Sequence, residues 1–91
     1  MASMYRIELA ASALSDLETI GTADARRILQ KLFWFSKQEH PLRFAKKLTG
    51  DLGHLYRFRV GDYRILFRVD PHGVVTVLTI VHIAHRKDVY A

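Results

Sequence analysis

A chain of 91 residues, 49% of them apolar, suffices for one compact domain with one core and is too short for two, so a single domain spanning residues 1–91 is expected. The absence of cysteine excludes a disulfide framework or a thiolate metal site, and the absence of a run near the ~20 apolar residues of a membrane span, or of a basic-then-apolar leader in MASMYRIELA, points to a cytoplasmic protein with no membrane partner. The formal net charge of +5 is unevenly placed: residues 1–42 carry five Lys/Arg against five Asp/Glu, whereas residues 43–91 carry nine against four, a balance that favours an anionic partner.

In chain order, Met4 to Leu9 (MYRIEL) alternates apolar and polar residues as a half-buried strand does. Leu14, Leu17 and Ile20 then recur at helical spacing over residues 11–20, with Gly21 as the stop. Thr22 offers an N-cap to a second helix whose buried stripe is Ala25, Ile28, Leu29, Leu32 and Phe35. His40-Pro41 closes this helical hairpin, Arg43 to Leu48 is expected to form a short turn of helix, and residues 50–53 read as a loop.

Three strands follow, near 54–60, 63–69 and 74–82. Gly61-Asp62 suits a two-residue type II′ turn, and Asp70-Pro71-His72-Gly73 a type I turn ending in a glycine bulge. The predicted fold is therefore α+β, in the order β-α-α-β-β-β, with the helical hairpin on one face of an antiparallel sheet.

With the first turn so assigned, Arg59 faces Arg64 and Phe58 faces Ile65. Tyr56, Phe58, Val60, Tyr63, Ile65, Phe67 and Val69 then form an apolar face for the helices, while Arg57, Arg59, Arg64, Arg68 and Leu66 share the other. Carried through the second turn without interruption, the alternation places Thr76, Leu78, Ile80 and His82 on this basic face. Arginines often snorkel over an apolar floor. Here, however, Arg59 opposes Arg64 with no acid in the expected strands between them, and arginine is the side chain suited to bidentate phosphate recognition. In the closing HIAHRKDVYA, a histidine beside an arginine could move a proton and stabilise an anion, whereas His82 and His85 lack the neighbouring ligands that a metal site needs.

The order of elements, the segment LYRFRVGDYRILFRVD and the terminal HIAHRKDVY resemble the RelE/ParE superfamily of toxins from bacterial and archaeal toxin–antitoxin pairs. For a RelE-like member the resemblance implies a type II toxin that cuts mRNA in the ribosomal decoding site without metal or cofactor, the RNA's own 2′-OH being the nucleophile. It implies Arg64 and Arg86 as stabilisers of the phosphorane, Tyr90 as a base-stacking residue, and Arg57 and Arg59 as basic second-strand positions that are lysines in the best-known pattern. Because arginine, with a pKa above about 12, is a poor base, His85 becomes the candidate general base, with His82 behind it. Arg57, Arg59, Arg68, Lys46, Lys47 and His82 are then expected to grip ribosomal and flanking RNA phosphates. A ParE-like member would instead inhibit DNA gyrase without catalysis. Either implies a cognate acidic antitoxin in a toxin–antitoxin hetero-oligomer. Its amphipathic segment is expected over the floor of Leu66, Leu78 and Ile80, or alternatively on the helical hairpin at Phe33 and Trp34.

Overall fold

The structure, a computed structural model, describes residues 4–87. Strand β1 (Met4–Leu9) leads into helices α1 (Ala11–Ile20) and α2 (Thr22–Ser36), followed by the strands β2 (Lys46–Lys47), β3 (Tyr56–Val60), β4 (Tyr63–His72) and β5 (Val75–His85). Single 3-10 turns occupy Pro41–Phe44 and Gly50–Leu52. The α+β class and the helical hairpin are as expected. Three local expectations are corrected. Thr22 is the first helical residue and not the cap, since the Gly21 carbonyl accepts the Ala25 N–H at 2.9 Å. The helical turn falls earlier than residues 43–48, because Pro41 at its first position starts it and Lys46-Lys47 then pair with β3 as an edge strand. The turn expected over Asp70–Gly73 is shifted, as Asp70 and Pro71 remain in the ladder opposite Val77 and Thr76.

Both hairpins of the β3–β5 meander therefore use the same device. Val60 pairs with Tyr63 and His72 with Val75, leaving the two-residue loops Gly61-Asp62 and Gly73-Val74. Gly61 (φ 59°) and Gly73 (φ 62°) hold the left-handed first position that matches the twist of the flanking strands.

The sheet order is β1-β5-β4-β3-β2, with β1 parallel to β5 and every other pair antiparallel. The sheet is thus mixed and not wholly antiparallel; nearly the whole chain serves as the long connection that a parallel pair requires. Its helix-covered face holds Phe58, Ile65, Phe67, Leu78, Ile80 and Ile83 against Ala13, Leu17, Ile28, Leu32 and Phe35. Phe35, Phe58 and Phe67 stack in series at 4.1 and 4.3 Å between centroids, tying α2 to the two central strands. Each fully buried side chain of this size stabilises the fold by about 1.5–3 kcal/mol. Leu14 and Leu29, expected in the buried stripe, are instead 48% and 40% exposed. Ala13 takes the core position on α1, where the helix start lies so close to β5 that the Ala10 N–H bonds the Ile80 carbonyl at 2.9 Å.

One irregularity decides what the other face carries. Leu66 pairs with His82 but Phe67 pairs with Ile80, so Val81 is an extra residue opposite the Leu66–Phe67 step. Before this bulge, Leu78 and Ile80 point into the core, where both are completely buried. After it the parity is reversed: Ile83 points inward, while His82 and Ala84 sit opposite Leu66 and Arg64. The expectation that Leu78 and Ile80 floor the basic face is overturned, because the shifted second turn sets Val69 opposite Leu78 and Phe67 opposite Ile80 and so turns both inward, and the bulge then returns His82 to the basic face where it was expected.

Candidate nucleic-acid interface

Alternation in β3 and β4 is fixed by the buried rings of Phe58 and Phe67 and by Ile65, and this sends Arg57, Arg64 and Leu66 to the uncovered face. Together with His82 and Ala84 from β5, and with Leu48 and Leu52 from the segment around the second 3-10 turn, they line a half-open cleft of about 370 Å³. Two guanidinium groups and an imidazole from three adjacent strands thus meet over an apolar lining. Lys46, opposite Arg57, extends the basic surface along the edge strand. Such a cleft can bind an anion by charge-assisted hydrogen bonds and move a proton beside it.

The remaining expected residues are distributed differently. Lys47 pairs with Tyr56 on the opposite face, its Nζ 6.0 Å from the tyrosine ring. Arg59 opposes Arg64 in the ladder but lies past the end of β2, beside a shallower depression of about 440 Å³ with Arg27, Lys31 and Trp34. That depression has positive charge but no imidazole or carboxylate among its lining residues. Arg68 forms an ion pair with Asp70 at 3.2 Å, and Asp70 also accepts from the Thr79 hydroxyl at 3.3 Å. The acid that the expected strand boundaries left out is therefore on the face after all. Its own side chain holds Arg68 along β4, apart from the cleft.

His85 pairs with Tyr63 and packs edge-on against its ring at 5.3 Å, on the helix-facing side of the sheet. It does not meet Arg57 and Arg64. Tyr63 is itself fixed by donating its hydroxyl to Asp24 on α2 at 2.9 Å. This bond, with burial and the Asp24 charge, pushes the phenol above its usual value, Arg27 offsetting part of the effect. Arg86 lies at the β3–β4 turn, where its N–H donates to the Asp62 carbonyl at 2.7 Å and its Nε lies 3.8 Å from the Asp62 carboxylate. It is thereby tethered beside the turn and is not among the cleft-lining residues. Tyr90 lies outside the described residues.

Sequence reasoning missed Asp16. This residue on α1 accepts from the Ile83 N–H and pairs with His82 Nδ1, both at 2.8 Å. Nothing local marks it, since its partners lie more than sixty positions away and meet it only through the end of β1. Leu48 and Leu52 were likewise missed, the first read as the end of a helical turn and the second as loop. On the helix side, Phe33 and Trp34 are 62% and 43% exposed, as their excess over the buried stripe suggested.

The model of the "ParE toxin of type II toxin-antitoxin system, parDE" family matches residues 7–90. Toxin RelE of Mycobacterium tuberculosis is 32% identical over 88 residues, covering 94% of this chain and 86% of the relative. Toxin RelG of the same organism is 29% identical over 86 residues, covering 94% and 95%. The structure of the toxin–antitoxin complex RelBE2 from M. tuberculosis superposes with a TM-score of 0.69 at 28% identity, covering 97% of this chain and 98% of the matched one. Strand, helical hairpin and mixed sheet agree with this neighbour, and with the family match over nearly the whole chain they lead to one conclusion: the protein belongs to the ParE toxin family of type II toxin–antitoxin systems, within the RelE/ParE superfamily.

Proposed function

We propose that this toxin is a ribosome-dependent mRNA endonuclease that inhibits translation from the cleft between β3, β4 and β5, without a metal or cofactor. The observation that carries it is the meeting of Arg57, Arg64 and His82 in one half-open cleft. A phosphodiester cut by its own 2′-OH needs charge placed where the phosphorane develops and a group to take the hydroxyl proton. Arg64, at the centre of the sheet, stabilises the phosphorane, and Arg57 with Lys46 holds the flanking phosphates. Arg59, Arg68 and Lys47 are left to the wider ribosome contact. Arg86, from its tether at Asp62, reaches the substrate only on exchanging that carboxylate for phosphate. Tyr90 stacks on a base, an interaction worth about 1–3 kcal/mol in single-strand binders. The ribosome supplies the orientation of the mRNA.

The toxin's partner is a cognate antitoxin. The burial of Leu78 and Ile80 removes most of the apolar floor once expected for it, so the hairpin ledge of Leu29 and Phe33 becomes its docking surface, with acidic side chains reaching Arg26 and Lys37.

A second reading is favoured by the family match itself, which is to ParE toxins: a gyrase inhibitor acting by binding alone. Purified toxin in a reconstituted translation system separates the two. Cleavage of mRNA only when ribosomes are present supports the nuclease, whereas intact mRNA with loss of gyrase supercoiling activity supports the inhibitor.

A further inference from the structure

We propose that Asp16 of α1 positions His82 as the proton-transfer group of the cleft, so that the site is an aspartate–histidine dyad assembled across the helix–sheet boundary. This rests on the nuclease reading and names the base within it.

The dyad follows from how β5 ends. Strand β1 covers one edge of β5 only as far as the Leu9–Ile80 pair, while β5 runs on to His85. Over residues 81–83 α1 takes the place of the missing strand. Ser12 Oγ donates to the Val81 carbonyl at 2.6 Å, and Asp16 Oδ2 accepts the Ile83 N–H at 2.8 Å. The same carboxylate oxygen lies 2.8 Å from His82 Nδ1. The backbone bond anchors the carboxylate, which is 25% exposed, and the carboxylate in turn orients an imidazole that is 53% exposed.

An ionised carboxylate only accepts, so Nδ1 carries the ring proton and Nε2 is left as the basic nitrogen. The bulge at Val81 is what brings this ring to the cleft that Arg57 and Arg64 line. The charged and titratable groups around His82 are Asp16 from α1 and Arg57 and Arg64 across the sheet, with His85 and Tyr63 in the adjoining groove. In the reaction the 2′-oxygen bonds to phosphorus as its proton passes to Nε2, and the P–O5′ bond breaks. The 5′-oxygen departs with a proton from water, leaving a 2′,3′-cyclic phosphate and a 5′-hydroxyl. Asp16 stabilises the imidazolium formed, as the buried acid of a catalytic triad does.

Because Asp16 also ties α1 to β5, its structural and positioning roles must be separated. Imidazole nitrogen shifts of the full-length toxin should show His82 as the Nδ1–H tautomer, moving toward Nε2–H in Asp16→Ala. In single-turnover cleavage on ribosomes, His82→Gln should slow the reaction by about 100-fold and Asp16→Asn, which keeps an oxygen for Ile83, by about 10-fold, with ribosome affinity unchanged. The double variant should be no slower than His82→Gln alone. An Nε2–H tautomer in the wild type, or additive losses in the double variant, overturns the dyad. If the wild type cuts no RNA yet the tautomer shifts as stated, the nuclease reading and the base role fall together, and Asp16 as the group that positions His82 stands.

Discussion

Residues 75–80 and 82–85 of β5 lie on either side of one bulge, and side chains of the same parity end on opposite faces of the sheet: Leu78 and Ile80 are sealed beneath the helices, whereas His82 and Ala84 line the cleft. The first stretch is held on both sides by strands and follows the ordinary alternation. The second has lost β1 and is held instead by Ser12 and Asp16. A strand stabilised by two ladders serves packing, and the same strand, once one ladder gives way to helix side chains, becomes available for chemistry.

This contrast is broken most severely at Leu78. Leu78→Glu places an unpaired carboxylate in a fully buried site and should cost at least about 4 kcal/mol, leaving little folded protein by circular dichroism. The same substitution at Ala84, on the other side of the bulge and facing the cleft, should leave a cooperative melt. If Leu78→Glu melts like the wild type, the parity reversal is wrong.

At the cleft, Arg64→Ala should lower ribosome-dependent cleavage by about 10²–10³-fold in a protein that still melts cooperatively. Arg86→Ala should cost less, because that side chain starts from an ion pair with Asp62 outside the cleft. Equal losses in single-turnover rate would place both guanidiniums at the phosphate.

The helix side is tested at Phe33. Since its ring is 62% exposed, Phe33→Ala should leave stability nearly unchanged while weakening the cognate antitoxin by about tenfold in a titration. Undiminished binding there, with binding lost in Arg57→Ala, would return the antitoxin to the basic face.

The smallest effect is expected at Tyr63. Tyr63→Phe removes the bond to Asp24 and should cost about 1 kcal/mol in urea melts. Because folding raises this phenol above 10.0, its contribution is complete below that pH and is lost as pH rises through the raised value, so the two proteins should converge in strong alkali. A difference that persists there would mean that the bond to Asp24 is not what the hydroxyl contributes.

Much of the fold was legible because the chain states it locally. The alternation in β3 and β4, the helical spacing of Ile28, Leu32 and Phe35, and the glycine of the first hairpin each act over a few residues. Arg57 and Arg64 were placed correctly on one face for the same reason. His85 was preferred to His82 for its place beside Arg86 in the closing motif, although the alternation already put His82 on the basic face; what no local signal announces is the loop length of the second hairpin and the bulge at Val81, which depend on how β5 is shared between β1, β4 and α1. Asp16 was invisible on the same ground, as its role exists only once residues 12–16 lie against 81–83.

The parallel pairing of β1 with β5 has a kinetic consequence. Met4 waits for Val75, so the first strand made has no ladder partner until the last has been synthesised, and closing so long a loop costs entropy before any contact returns it. His82 and its Asp16 contact form in that same final docking. An incomplete chain holding α1, β3 and β4 therefore has arginines but no dyad, and the ribosome making this toxin meets a chain whose cleft is still missing one wall.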